Sequence, residues 1–439
     1  MVVSPIESRY STGMNSLFDE SARIGSWMEV EVALARAHAK LGNMPSAAAE
    51  EIAAGAKKVA LSRVNEIEAE IHHDLMAMVK ALAEKCPKYG GFVHLGATSY
   101  DIEDTATGLT MKRAIGIVRK ELLETKAILR KRAKETASLV CIGRTHGQHA
   151  VPTTYGMKFA IWYTEVKRDL ARLDAAEEII SVGKMAGATG TMATFGGKGR
   201  KMQELVMKEL GLKAAEVSNQ VVQRDRHAQV MFTLALTCAT LEKIAKELRN
   251  LQRSEILEVA EPFGAKQVGS STMPQKRNPH KSERVCSIAR MVRGNVAVAM
   301  ENIALEHERD LTNSANERFI FPDSFILTHY IILEMNRILG GLTFYPGNIE
   351  KNLNLTGGAV LSERVMIALT EKGMGRQEAH ELMRTCNIEA FEGRKKLLDV
   401  LCARKEVTSL IPKEELARLF DPHTYIGEAK EIVEAAIKE

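Results

Sequence analysis

Apolar residues return every three or four positions over long stretches of this chain. Phe159, Trp162, Val166, Leu170, Leu173, Ala176 and Ile180 form one stripe, and Val230, Leu234, Cys238, Leu241, Ala245, Leu248 and Leu251 form another. That spacing puts each set on one face of a helix turning once per ~3.6 residues, so both segments are predicted helices well above the usual ~12 residues. The first is predicted to open at Pro152, whose fixed φ suits a first helical turn, and the second to run within 219–253. A third starts near Asp101, read as its N-cap with Asp104 three residues on, and runs to about Ser138. A fourth is predicted from Pro279 and a fifth over 317–339. Alternating strand patterns bounded by turns are nearly absent. The chain therefore reads as all-α, and long helices with one apolar face bury that face by bundling.

Gly-rich stretches interrupt the pattern at YGGFVHLGATS (89–99), GKMAGATGTMATFGGKGR (183–200) and LTGGAVLS (355–362). Beyond Tyr345-Pro346-Gly347 the predicted helices shorten. Three helical domains are expected, over 1–98, 99–344 with the long helices, and 345–439. Composition narrows the class. With 439 residues, 45% hydrophobic and 26% charged, the chain has ample material for a large core and is neither collagen-like nor disordered. Lys and Arg total 60 against 56 Asp and Glu, and aromatics are only 5%, which makes no electrostatic or stacking case for nucleic acid or an anionic membrane. The six cysteines form no CxxC pair, as expected of buried free thiols in a reducing compartment. MVVSPIESRYSTG lacks a basic segment followed by an apolar run, and no stretch approaches ~18 apolar residues. A soluble, cytoplasmic protein is expected.

Three stretches hold candidate chemistry. In GSSTMPQKRNPHKSE (269–283), small residues allow close backbone approach to a ligand, while Pro274 and Pro279 stiffen the loop. Asn278 before Pro279 suits a helix N-cap, so Lys276, Asn278 and the first N–H groups of that helix could converge on an anion. A basic surface turn that only starts a helix has the same composition. In GRTHGQHAVPTT (143–154), His146 and His149 lie just ahead of the predicted helix, where an imidazole can supply a proton near neutral pH or simply serve the structure. The same two readings hold for His72-His73-Asp74, placed on a helix, and for His94. In EHERDLTNSANER (306–318), Arg309, Ser314 and Arg318 suit a phosphate or carboxylate, and equally a solvated helix end. Other motifs fail. His307-Glu308 and His380-Glu381 do not continue as HExxH, Met192 and Gly199 break a P-loop around Gly197-Lys198, and no GxGxxG follows a strand.

GSSTMPQKRNP resembles the pattern GSSxMPxKxNP shared by fumarases, aspartases, argininosuccinate lyases and adenylosuccinate lyases. GRTHGQHAVPTT and HLGATSYDIEDT are similar to the adenylosuccinate lyase family rather than to the other branches, as are HERDLTNSANER, Arg9-Tyr10-Ser11 and NLNLTGGAVLSERVMIAL. The resemblance runs over nearly the whole chain. It implies three helical domains, the middle one contributing to a twenty-helix core in a homotetramer whose active sites draw on three subunits. It implies elimination of fumarate from adenylosuccinate, giving AMP, and from SAICAR, giving AICAR, with no metal or other cofactor. Ser270 is then the general base and His146 the general acid. Lys276 and Asn278 hold the succinyl carboxylate, with Ser271 and Arg277 of the same loop also binding substrate. His73 and Asp74 match the family's HD pair; Thr98, Ser99 and Gln220 match substrate hydrogen-bonders. Arg9, Tyr10, His94, Arg309, Ser314 and Arg318 match residues around the phosphate and nearby carboxylates, while Glu283 orients His146 or balances the loop's charge. One departure is His72, also counted as substrate-binding, which stands where many relatives carry Arg. Two rivals remain: a carboxymuconate cycloisomerase, expected to lose the acid histidine and the phosphate-clamping Arg and Ser, and a non-catalytic scaffold, expected to show a damaged site. His146, Arg309 and Ser314 are all present.

Overall fold

The computed structural model describes residues 4–264 and 266–438, so the first three residues of MVVSPIESRYSTG lie outside it. It is 66% helical with few strands, in line with the all-α expectation. The helices that position functional side chains are α1 (Glu20–Lys40), α2 (Leu61–Ile71), α3 (Asp74–Glu84), α4 (Ser99–Glu135), α5 (Tyr155–Ile180), α6 (Asp225–Leu251), α7 (His280–Glu301) and α8 (Ser314–Gly340). The C-terminal segment continues in shorter helices, the longest being α9 (Arg376–Glu392). No helix among the described residues is long and apolar enough to cross a membrane.

Several boundaries differ from the expected ones for physical reasons. The turn before α4 is capped from Thr98: the Asp101 carboxylate accepts the Thr98 N–H at 2.9 Å while the Asp101 N–H bonds Thr98 O at 3.0 Å. Asp101 is thus a third-position capping-box residue rather than the N-cap. Pro152 does not open α5. It sits in strand β2 (Gln148–Thr154), facing Ile142 of the antiparallel strand β1 (Val140–Thr145). Proline is tolerated there because a two-stranded hairpin has solvent-facing edges. Thr145 pairs with Gln148, leaving His146 and Gly147 as a two-residue turn with φ of +53° and +74°. Two successive positive φ values are what a type I′ hairpin requires, and Gly147 supplies one without strain.

The chain divides into two compact units. The first comprises Met1–Leu123, Arg168–Glu242 and Val285–Glu334. Its core packs Trp27, Leu34, Ile52, Leu75, Met78, Ile102, Met202 and Val206, all nearly inaccessible to solvent. Side chains of this size contribute about 1.5–3 kcal/mol each when fully buried. The second unit comprises Glu124–Lys167, Lys243–Arg284 and Met335–Glu439. One of its cores gathers Val365, Leu369, Met383, Cys386 and Leu401, and another sets Val140 and Ile142 of the hairpin against Leu353, Val360 and Leu361. All six cysteines are free, and five are buried, Cys402 only in part.

Candidate active site

The expected site residues fall into two groups, one in each unit. In the first unit, α2 ends on His72, whose φ of +53° reverses the chain, and His73 then N-caps α3, its ring accepting the Met76 N–H at 3.4 Å. The His72-His73-Asp74 run therefore lies at a helix–helix junction instead of within a helix. Both histidine side chains are exposed, and Asp74 is turned inward. Asp74 accepts from Arg318 at 2.5 Å and from Arg23 at 3.3 Å. Burial pushes its carboxyl upward, but the Arg318 hydrogen bond and charge, the Leu75 N–H and Arg23 outweigh this and hold it below the usual range.

Arg309 donates to Gln220 Oε1 at 2.8 Å and lies with its guanidinium carbon 3.8 Å from the Tyr100 ring centroid. Stacking on an aromatic face suits the planar guanidinium, and its Nε has no hydrogen-bond partner among the described residues. Tyr100, Ser314 and Arg318 line a cavity of about 340 Å³ together with Arg23, Trp27 and Glu103. Burial, with Asp74 and Asp104 nearby, pushes the Glu103 carboxyl up to about 8, so it stays largely neutral at pH 7. In the wall of the same cavity Arg224, almost wholly buried, donates to Asp104 at 2.9 Å and to both Glu317 oxygens at 2.9 and 3.2 Å. Lys184 is likewise inaccessible and donates to Asp101 at 2.5 Å.

Thr98 caps α4 and Ser99 begins it, and His94 precedes them, held by Glu31 of α1. Arg9 is exposed, and Tyr10 packs edge-on against Tyr330 with ring centroids 5.2 Å apart, so the structure does not draw either into the Arg309–Arg318 set.

In the second unit the 269–278 loop is tied at its neck. A Cβ on Gly269 would lie 2.0 Å from Lys276 O, which only glycine avoids, and Asn278 Nδ2 donates to Gly269 O at 2.8 Å. Gln252 Nε2 donates to Arg277 O at 3.0 Å, and the Arg277 guanidinium lies 5.2 Å from the Phe263 ring centroid. Ser270 Oγ accepts the Met273 N–H at 3.1 Å and the Thr272 N–H at 3.4 Å. Ser271 and Lys276 are exposed. One expectation is corrected here: Asn278 does not cap the following helix. In the first turn of α7 the N–H groups of Lys281 and Ser282 donate at 3.2 and 3.0 Å to Glu261, which also accepts the Ser282 hydroxyl at 3.0 Å. Those groups are therefore satisfied internally and are not open to a ligand.

His146 stands exposed at the hairpin tip. The strand below it is anchored by Glu258, whose side chain is wholly buried and accepts from Arg144 at 2.5 Å, Tyr155 at 2.5 Å and Asn352 at 2.9 Å. Burial and the Glu258 charge push the Tyr155 hydroxyl far above its usual value, so it remains a donor. His149 is partly buried; burial, then Arg144, lowers its titration. Lys276, Arg277, Asn278 and the exposed Glu283 line a cavity of about 970 Å³ with Arg249, Arg253 and Glu261.

Sequence reasoning passed over Glu31, Glu103, Glu258 and Glu261. For the last two a signal was available: Glu258-Val259-Ala260-Glu261 sets two acids in a short apolar run just ahead of the loop, where an isolated charge needs a partner.

Residues 8–294 match the family model described as Lyase, and residues 358–436 match the one described as Adenylosuccinate lyase C-terminus. The chain is 52% identical to the adenylosuccinate lyase of Pyrococcus abyssi, with 100% of this chain and 98% of that protein covered. Against the adenylosuccinate lyase of Methanothermobacter thermautotrophicus identity is 48%, covering 100% and 99%. Among solved structures, a 3-carboxy-cis,cis-muconate lactonizing enzyme from Pseudomonas putida is similar with a TM-score of 0.92 and 31% identity, covering 99% of this chain and 98% of that one. A fumarate lyase from Mesorhizobium sp. BNC1 follows at 0.90 and 30%, with 97% of each chain covered.

Proposed function

This chain belongs to the adenylosuccinate lyase family, and from that premise we propose how its residues divide the reaction. The protein is a lyase of purine biosynthesis that eliminates fumarate from adenylosuccinate, leaving AMP. SAICAR is a second substrate in this reading, and the assembly is a cytoplasmic homotetramer of three-domain chains, bounded at 98/99 and 344/345, with sites shared between subunits.

Ser270 Oγ takes a proton from the succinyl CH2, and the electron pair left on carbon passes into the adjacent carboxylate. The C–N bond then breaks, and the departing nitrogen takes a proton from His146. A serine hydroxyl is a weak base, so its alkoxide needs stabilisation. The Met273 and Thr272 N–H groups aimed at Ser270 Oγ support this role, because hydrogen bonds to an anion favour the ionised form. Lys276, with no ion pair among the described residues, is available to the carboxylate as it gains charge. Asn278 uses one amide hydrogen on Gly269 O and keeps the other for substrate. Ser271 and Arg277 line the same pocket in this reading, and Glu283 balances its charge. Arg309, Ser314 and Arg318 bind the phosphate and carboxylates, with Asp74 fixing Arg318 and Gln220 fixing Arg309. His72, His73, His94, Thr98, Ser99, Arg9 and Tyr10 complete the substrate set.

The carrying observation is the full-length 52% identity. Likeness to the muconate enzyme rests on a shared backbone at 31% identity, and a fold alone does not select a reaction. Incubation of purified protein with adenylosuccinate is the test: falling ultraviolet absorbance with stoichiometric AMP and fumarate is expected. Absence of turnover, or lactonisation of carboxymuconate in its place, overturns the assignment.

A further inference from the structure

The segment leading into α4 is held at consecutive residues by other elements of its unit. His38 Nε2 of α1 donates to Leu95 O at 2.8 Å, its Nδ1 accepting from Asn43 at 3.0 Å, and Thr194 Oγ1 donates to Gly96 O at 2.6 Å. The tightest hold is on His94. Glu31, whose side chain is 1% exposed, takes the His94 Nδ1–H on one oxygen at 2.6 Å and the His94 backbone N–H on the other at 3.2 Å. Both contacts fall on one carboxylate, so they fix the ring as well as the chain, which adopts φ of +63° there. A histidine bonded to a carboxylate through Nδ1 carries its hydrogen on that nitrogen. Its Nε2 has no partner among the described residues, and the side chain is 13% exposed.

We propose that Glu31 is a positioning residue which, through its ion pair with the His94 ring, presents Nε2–H to the phosphate monoester of the nucleotide. The proposal rests on the reading above, in which His94 belongs to the phosphate surroundings. A doubly charged phosphate accepts a charge-assisted hydrogen bond far better than a neutral one. Left to burial alone, an imidazole loses its proton and with it that advantage. The ionic groups acting on His94 are Glu31 from α1 and Asp101 from α4, both negative. Burial lowers its titration, but the Glu31 hydrogen bond and these two charges outweigh burial and raise it. Glu31 itself does not reach the substrate; it acts through the ring.

Glu31→Gln tests this, because the amide keeps an oxygen for Nδ1–H and removes the charge, giving up only the longer contact with the His94 backbone N–H, which its NH2 cannot accept. At about pH 8 the KM for adenylosuccinate and the inhibition constants of AMP and inorganic phosphate are expected to rise about fivefold, with kcat changed far less. At about pH 6, where a larger share of the imidazole is protonated, the penalty should be smaller. Fumarate inhibition should not move at either pH. An equal change in KM at both pH values, a loss confined to kcat, or weakened fumarate binding with phosphate binding intact overturns the proposal. In a His94→Gln background the second substitution should add nothing; a further loss there also overturns it. If Glu31→Gln does not fold, wild-type protein with labelled histidine suffices: the ring resonance that vanishes in His94→Gln must titrate above the ~6.5 of a free imidazole. A midpoint at or below that value overturns the proposal. This last readout needs no turnover, so it stands apart from failure of the adenylosuccinate assignment.

Discussion

The two units treat their functional groups in opposite ways. In the first, three of the expected anion-binding groups have a built-in partner: Arg318 leans on Asp74, Arg309 on Gln220 and Tyr100, and His94 on Glu31. In the second, Ser270 sits in a loop tied at its neck, and His146 stands exposed at a hairpin tip above the Glu258 anchor. On the roles proposed above, the difference matches the work. Binding an anion needs a positive field aimed in advance, which buried counter-charges and stacking provide. Moving protons needs atoms that can approach the substrate and retreat, which turns and loop tips permit.

This contrast can be broken most forcefully at the buried network of the first unit. Arg224→Met, leaving Asp104 and Glu317 uncompensated in the interior, is expected to destabilise the fold by about 3–5 kcal/mol in denaturant melts. A loss under about 1 kcal/mol would show that the charges are solvated and the contrast is overstated. In the second unit, Ser270→Ala and His146→Ala should each lower kcat by at least ~100-fold while leaving the melting curve nearly unchanged. Near-normal turnover in either variant removes that residue from its assigned role. Arg318→Met should act mainly on KM, by about tenfold, since it deletes a preset anion contact and not a proton carrier. A pure kcat effect would erase the division between the units.

A last comparison runs through pH. Glu103 keeps its proton in the folded protein up to about 8, whereas the unfolded chain releases it near 4.5. Between those values the native state binds more protons than the unfolded state, so stability falls as the pH rises across the window and levels off above it. Glu103→Gln should flatten that slope in melting temperature against pH. Asp74 runs the other way. Its lowered titration stabilises the fold above the ordinary carboxylate range, and this is lost as the pH falls through its depressed value. An unchanged slope between about 4.5 and 8 in Glu103→Gln would remove the neutral-acid account of the cavity.

Much of this was legible in the order of residues. Stripes at three and four positions located α5, α6 and α8 to within a few residues, because burying one face of a long helix imposes that period whatever its neighbours are. The motif residues were also visible, since Gly269, Pro274 and Pro279 restrict the backbone locally and need no distant partner to be recognised. Tertiary structure decided what distance in sequence concealed. The hairpin at 140–154 was hidden because its pairing, and the place of Pro152 within it, depend on a partner strand and on Leu353 and Val360 far along the chain. The start of α7 reads locally as an open anion site, yet Glu261, brought in by the fold, already fills it. Glu31, Glu103 and Glu258 read as ordinary acids, and only burial beside particular partners made them a histidine's counter-charge, a neutral wall of a cavity and an anchor. Local periodicity survives in one dimension because it arises from near neighbours. A carboxylate's role does not, because its charge state and partners are set by whatever the folded chain places within a few ångströms of it.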